Sequence, residues 1–527
     1  MRTHLKYNLL LKVLILISAG CFMDCKPVIP VDEDPFVRFT GSIDYQSQML
    51  NRPLRYSVYL PAGYNKENKS YPTVYLLHGF GDNETSWING GNIDRIIKEL
   101  EEKGEIEPMI YVMPQGYNSY YVNRFDGTFN YMDMFVKEFV PLIDSLYRTR
   151  KTPGQRAVVG YSMGGYGALI LPVKNPDIFS VSVPLSMSFR TDEQYMVESQ
   201  SGFDAQWGPI FGAKGSAGED RLTDYFKKHS PFHFFADEDA NRFSSIHFFI
   251  DCGDDEELLS FTNNEMHSLM RSKNIAHEYR VRNGAHTWDY WLKAMREALI
   301  FIQTCFNGCA YVEDPPFNLS TRFSGNIEQL NFNGKILNVV LPSGYSVSSA
   351  TYPVIYFMHH TLKNRLNETK NVMASLDSLQ REKQFILVEA DASEFKTVSN
   401  FVELSAFLDN GYRTKKQKQG RLLLANFSGA SVAYHTVSDY PELFESLFLF
   451  LPVIDSINHI SEAGFIYLDT TDESQSYSTV QGLYSDCRKH NINYQYRVRN
   501  GKDSFNAFMH GLNNSIVYLG LMLNKTL

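Results

Sequence analysis

Short runs of apolar, β-branched and aromatic residues alternate along the chain with longer amphipathic stretches, the pattern of a mostly parallel sheet covered by helices. In the first half, the runs at 74–77, 109–113, 156–159, 180–185 and 246–250 are expected to be successive strands, with a further strand at 278–281. Helical spacing of apolar positions marks 93–102 and 134–147, the second capped by Asp133, and 292–305 as a closing helix. Around 307–316 the pattern breaks, at Gly308 and the Pro315-Pro316 pair. From Leu319 the cycle restarts, with strands expected at 336–341, 354–358, 385–388, 422–425, 447–451 and 465–468.

The restart is also a repeat of words. Tyr279-Arg280-Val281-Arg282-Asn283-Gly284 returns as Tyr496-Arg497-Val498-Arg499-Asn500-Gly501. In the same order, Leu60-Pro61-Ala62-Gly63-Tyr64 pairs with Leu341-Pro342-Ser343-Gly344-Tyr345, and Asp251-Cys252-Gly253-Asp254 with Asp469-Thr470-Thr471-Asp472. A repeat this long implies two whole domains, each large enough to bury a core. The expected organisation is a signal segment at 1–20, a tether at 21–35, a first domain at 36–306, a linker at 307–318 and a second domain at 319–527. Between equivalent points the first domain carries about fifty extra residues, near 188–242, and an insertion of that length usually walls a substrate pocket.

Composition changes this picture little. The chain is 43% hydrophobic, 14% aromatic and 21% charged, and its net charge of −9 without a long basic run argues against nucleic acid as a partner. The N-terminus adds more. Arg2, Lys6 and Lys12 accompany an apolar stretch at 13–17, with Leu9 to Leu11 before it, followed by Ser18-Ala19-Gly20-Cys21. This has the form of a secretory signal and is too short to span a membrane. Ala-Gly-Cys resembles a bacterial lipobox, with Cys21 as the acylated residue. The expected location is therefore the periplasm or cell surface of a Gram-negative-type bacterium, on an outer-membrane lipid anchor. Six cysteines in 527 residues do not make a disulfide framework, although Cys305 and Cys309 are close enough in sequence to pair.

Gly160-Tyr161-Ser162-Met163-Gly164 is a G-x-S-x-G motif between an expected buried strand and a helix-forming run. Such glycines permit a sharp strand-to-helix turn that presents the serine at a helix N-terminus. A lone G-x-S-x-G is common, and order is what raises its value. Ser162 is followed by the acidic cluster Asp254, Asp255, Glu256 and Glu257 and then by Gly284-Ala285-His286, the Ser, acid, His order of α/β-hydrolases. Ser162 is the candidate nucleophile and His286 the candidate base; one acid of the cluster would orient the imidazole. A calcium loop is the other use of so many carboxylates, but the alternating spacing of such loops is missing. His78-Gly79-Phe80-Gly81 ends the strand expected at 74–77, so the N–H groups of Met163 and of Phe80 or Gly79 are candidate oxyanion donors, each typically worth about 3 kcal/mol. No metal and no cofactor is required by this chemistry.

On these residues, with Trp87, Pro108-Met109-Ile110, Met113-Pro114 and Thr287-Trp288, the stretch from about 48 to 306 resembles the esterase D-like, carbohydrate esterase family 1 group. That group includes feruloyl esterases, acetylxylan esterases and S-formylglutathione hydrolases. The resemblance implies two tandem α/β-hydrolase domains, each a mostly parallel sheet flanked by helices, and an exported serine esterase acting on feruloyl or acetyl esters of plant cell-wall polysaccharide. It places the triad acid on Glu256, with Asp255 as the alternative. All four tryptophans lie in the first half. Trp207, within the insertion, and Trp288 are the candidate substrate contacts, while Trp288 and Trp291 at i, i+3 also read as packing of the last helix.

In the second half Ser428 remains, but His286 maps to Asp503 and Gly79-Phe80-Gly81 maps to His360-Thr361-Leu362. His359, His435, His459, His490 and His510 lie elsewhere, none at the matched position. This copy is expected to fold and to be catalytically silent. Two alternatives are a siderophore-type ester as substrate, and a non-catalytic protein in which both copies only bind glycan.

Overall fold

The computed structural model describes residues 39–309, 317, 323, 325–360, 365–457, 460 and 463–525. The signal segment, the tether with Cys21 and most of the linker lie outside the described residues, as do Thr361, Leu362 and His459.

A single 16-stranded sheet runs through both halves. The first eight strands are β1 (Ile43–Ser47), β2 (Arg52–Tyr59), β3 (Thr73–Leu77), β4 (Ile110–Pro114), β5 (Arg156–Tyr161), β6 (Val181–Leu185), β7 (His247–Gly253) and β8 (Glu278–Arg282), lying in the order 1-2-4-3-5-6-7-8. The second eight are β9 (Glu328–Phe332), β10 (Lys335–Val340), β11 (Val354–His359), β12 (Ile386–Asp391), β13 (Arg421–Asn426), β14 (Ser446–Phe450), β15 (Phe465–Thr471) and β16 (Tyr494–Arg499). From the far edge inward they follow the same scheme, β9-β10-β12-β11-β13-β14-β15-β16. In each half the strands are parallel except for the hairpin at the outer edge. The halves join where β8 and β16 pair antiparallel, with Val281 opposite Val498.

The strand assignments follow from burial. β3, β4, β5 and β6 are buried at every position, as sheet covered on both faces requires, and they read as continuous apolar runs. On one face, helices Ile93–Glu102 and Trp288–Phe306 pack against Val74, Leu76, Val159 and Val183. On the other, Met163–Lys174 packs within a cluster that continues through Tyr279, Val281, Tyr496 and Val498 into the second half. The insertion forms short helices from Asp192–Val197 to Ala240–Phe243, held together by aromatic stacking such as Tyr195 on Phe226 at 3.9 Å.

Two expectations need correction. The helix placed at 134–147 begins at Tyr131 after Asn130, so Asp133 lies in its first turn, and its middle, Phe135–Phe139, is π-helical. Cys305 is buried, Cys309 is exposed, and both thiols are free, because the closing helix carries Cys305 inward while Cys309 lies past its end.

Candidate active site

Strand β5 ends in Ser162, whose backbone at φ 58° and ψ −121° is strained for an L-residue, before the helix Met163–Lys174 begins. The turn is tight because glycine permits it: a Cβ on Gly164 would lie 2.3 Å from the Leu77 carbonyl oxygen. Ser162 N donates to Leu185 O (3.0 Å) and its carbonyl accepts from Ser188 N (3.0 Å), fixing the turn from both sides. The Ser162 hydroxyl takes no partner among the described residues, so the fold does not consume it.

The His78 to Gly81 segment lies directly against this serine. A Cβ on Gly79 would stand 3.4 Å from Ser162 Cβ and 2.7 Å from the Tyr161 ring, so only glycine allows the approach. Buried His78 ties the segment down. Its Nδ1 is 2.7 Å from Gly79 O, and its Nε2 is 2.7 Å from Gly116 N and 2.8 Å from Gln115 Oε1. Burial pushes the His78 pKa below the ordinary histidine value, so it is a neutral structural brace rather than a base. Its carbonyl accepts from the Tyr121 hydroxyl (2.9 Å) and Leu77 O accepts from Trp87 Nε1 (3.1 Å). The N–H groups of Phe80 and Met163 are left without acceptors among the described residues, whereas the Gly79 backbone hydrogen-bonds the Tyr161 hydroxyl. The Phe80 ring is 43% exposed and lies 6.4 Å from the Tyr120 ring, an aromatic surface that the sequence offered only as a backbone donor.

At the end of β7, the turn 253–257 brings Glu256 Oε2 to 2.7 Å from His286 Nδ1. Two further donors hold the carboxylate at Oε1, Gly253 N (3.0 Å) and Ser186 Oγ (2.5 Å), and Trp291 Nε1 in turn donates to Ser186 Oγ (2.9 Å). Trp291 also stacks on Tyr161, ring centres 4.3 Å apart, and meets His286 edge-on at 4.9 Å. The residue preceding Ser162 and the imidazole thus share one indole as support. His286 is exposed on its side-chain surface to 38%, and its Nε2 is unengaged among the described residues. Ser162 and His286 therefore sit at the same edge of the sheet without a direct hydrogen bond, an arrangement common before substrate closes the geometry.

The other carboxylates of the cluster are engaged differently. Asp255 is exposed and makes no contact with His286, which corrects it as an alternative acid; its backbone N–H donates to Gly284 O (3.1 Å). Asp254 is fully buried and accepts from Arg497 Nη1 of the second half (2.5 Å). Glu256→Gln is expected to lower kcat by about 10²- to 10⁴-fold, because a neutral amide favours the wrong tautomer and no longer stabilises the imidazolium. Asp255→Asn is expected to stay within about twofold, as surface substitutions do. Steady-state kinetics of the two variants decide it, and a reversed ranking would move the acid.

Trp207 also needs correction. It is 0% exposed, packed 4.7 Å from Tyr120 with Phe211 and Phe189 around it, and serves as the core of the insertion instead of its wall. Trp288 is half-buried and packs edge-on against Trp87 (5.5 Å) and Tyr161 (4.6 Å), over Gly90 and Gly91. Ser186, Trp291 and His78 are the support residues that sequence reading did not find. Nothing in a strand-end serine or a helical tryptophan distinguishes them before the fold is known.

The equivalent place in the second half is built otherwise. The strained elbow is kept but falls on Phe427 (φ 45°), whose N–H donates to Phe450 O (3.1 Å) and whose carbonyl accepts from Val453 N (3.0 Å), as Ser162 does with Leu185 and Ser188. Ser428, at φ −67° and ψ −18°, lies one residue later in the place of Met163, which corrects its alignment with Ser162. Its hydroxyl is 2.8 Å from Nδ1 of His360, the residue in the place of Gly79. Asp503, in the place of His286, accepts from Thr471 Oγ1 (2.9 Å) and Ser474 Oγ (2.8 Å). Among the described residues, no group of His, Cys, Asp and Glu side chains is arranged to hold a metal ion.

The 1-2-4-3-5-6-7-8 strand order, with a serine on a strained turn after the fifth strand and an acid–histidine pair after the seventh and eighth, defines the α/β-hydrolase class. Residues 47–302 match the Esterase family model, described as "Putative esterase". Among curated relatives, an endo-1,4-beta-xylanase/feruloyl esterase of Xylanibacter ruminicola is 32% identical over 166 residues, 29% of this chain and 23% of that protein. An acetyl esterase of Caldicellulosiruptor saccharolyticus is 23% identical over 274 residues, 49% of this chain and 95% of its own length. The chain spans only 23% and 35% of the lengths of the first curated relatives it matches. A solved ferulic acid esterase structure is 28% identical, covering 50% of this chain and 97% of its own, with a TM-score of 0.42.

Proposed function

We propose that this chain is an exported carboxylic ester hydrolase whose first half cleaves feruloyl or acetyl esters of plant cell-wall polysaccharide. The observation that carries the reading is the 2.7 Å Glu256–His286 pair in a fold that sets Ser162 on a strained, otherwise unengaged turn at the same sheet edge. In this reading Ser162 Oγ attacks the ester carbonyl carbon and His286 Nε2 takes its proton. The Glu256 carboxylate stabilises the resulting imidazolium. The N–H groups of Met163 and of Phe80 or Gly79 receive the oxyanion. Collapse of the tetrahedral intermediate expels the alcohol, which is protonated by His286, and water then releases the acid from the acyl-serine by the reverse sequence.

The xylanase/feruloyl esterase and acetyl esterase relatives support a polysaccharide ester as substrate. Export rests on the N-terminal signal pattern and Cys21; loss of the protein from the membrane fraction on Cys21→Ser tests the anchor. In the second half, Phe427 stands in the place of Ser162 and Asp503 in the place of His286, which supports a silent copy. Purified protein incubated with an aryl acetate and with methyl ferulate tests the activity; failure to hydrolyse either would overturn it.

A further inference from the structure

The repeated Tyr-Arg-Val-Arg-Asn-Gly phrase faces itself. Because β8 and β16 run antiparallel about Val281 and Val498, the two copies form an interface of the self-complementary kind that twofold dimers use, here within one chain. The first arginine of each copy crosses the junction: Arg280 Nη1 donates to Asp472 (2.8 Å) and Arg497 Nη1 to Asp254 (2.5 Å). The second stays at home, Arg499 on Asp469 (2.7 Å) and Arg282 on Asp251. Each crossed aspartate also accepts a backbone N–H of the opposite strand, Asp254 from Tyr496 (3.1 Å) and Asp472 from Tyr279 (3.0 Å). Helices Glu257–Ser272 and Tyr477–Lys489 extend the junction, with the Tyr484 hydroxyl on Ser260 Oγ (2.7 Å) and the Tyr477 hydroxyl on Asn264 (2.5 Å).

The two sides are alike in geometry and unlike in consequence. Asp254 stands two residues before Glu256, and its Oδ1 accepts from Gly284 N (3.2 Å), two residues before His286. Asp254 N to Arg282 O (3.0 Å) and Asp255 N to Gly284 O (3.1 Å) stitch the same turn to the same loop. The second half holds this turn at further points, with Arg488 Nη1 on Glu257 O and the Tyr494 hydroxyl on Asp254 O (3.4 Å). On the mirror side, Asp472 accepts from Gly501 N (2.8 Å), in a loop that leads only to Asp503. Asp254 is fully buried and Arg497 is 7% exposed, so removing the guanidinium would leave an uncompensated buried carboxylate beside the acid turn.

We propose that Arg497, from the second half, is a positioning residue for the first half's active site: by neutralising and holding Asp254 it sets the Glu256 turn and the His286 loop in register. The catalytically silent copy is then a built-in brace. This rests on the esterase reading of the Ser162 site.

The test compares three full-length variants. Arg497→Met is expected to lower kcat for an aryl acetate by about 10- to 100-fold with KM nearly unchanged, the scale of a misplaced catalytic group. Arg497→Lys is expected to lose less, and it carries the test should the methionine variant not fold. Asp472→Asn weakens the mirror contact of the same junction and is expected to leave kcat within about twofold. Hydrogen exchange at 254–257 and 283–287 gives a second reading that needs no substrate, expected to rise in the Arg497 variants and not in Asp472→Asn. Unchanged kcat and exchange in the Arg497 variants, or equal losses in Asp472→Asn, would overturn the proposal. A wild-type protein that hydrolyses no ester would defeat the esterase reading instead, with exchange still deciding the brace.

Discussion

Ser162→Ala is expected to lower ester hydrolysis by about 10⁴-fold or more while leaving the thermal melt close to that of the wild type. The substitution removes one oxygen that makes no hydrogen bond among the described residues, so the fold loses no contact with it. Alanine meets the same backbone strain at φ 58° that serine already bears, and the neighbouring anchors, Ser162 N on Leu185 O and Ser188 N on Ser162 O, are main-chain bonds that it keeps. The proposed chemistry, in contrast, loses its nucleophile, and water would have to replace an oxygen held in place by the turn. Measurement of kcat/KM with a melt on the same sample separates the two effects. Turnover near wild type with an intact melt would remove Ser162 from the mechanism.

His286→Ala is expected to cost nearly as much, and the double variant no more than either single one, since nucleophile and base act as a unit. The imidazole is partly exposed and touches little beyond the Glu256 carboxylate and the Trp291 edge, so its loss costs modest stability. Glu256 would keep the Gly253 N–H and the Ser186 hydroxyl as donors to its other oxygen. Kinetics of the two single variants and the double variant provide the check. Additive losses would mean that the two residues do not share a transition state.

Much of this was readable in the chain because its strands are buried on both faces and therefore written as apolar runs. Positions 74–77 and 156–159 lie within Thr73–Leu77 and Arg156–Tyr161. The edge hairpin Ile43–Ser47 and Arg52–Tyr59 was not readable, because its outer positions are exposed and it carries Arg52 and Pro53. His247–Gly253 runs past the apolar stretch at 246–250, because pairing with β8 continues through Asp251 to Gly253. The order of Ser162, the acidic cluster and His286 was legible along the chain, and the structure pairs Glu256 with His286 at 2.7 Å. Their supports were not: Ser186 and Trp291 acquire a role only when β6 and the closing helix meet at Glu256. The repeated phrase was legible as a repeat but not as a junction. The arginines of each strand gain their partners only in the fold, the first from the crossed aspartate and the second from Asp251 or Asp469 of its own half.

The most direct test of the central claim, a single working serine in a two-copy chain, is to treat the full-length protein with a fluorophosphonate and locate the adduct by peptide mass spectrometry. The expected result is stoichiometric phosphonylation of Ser162, none at Ser428, and loss of ester hydrolysis in proportion to labelling. An adduct on Ser428, or full hydrolysis remaining after Ser162 is fully labelled, would contradict it.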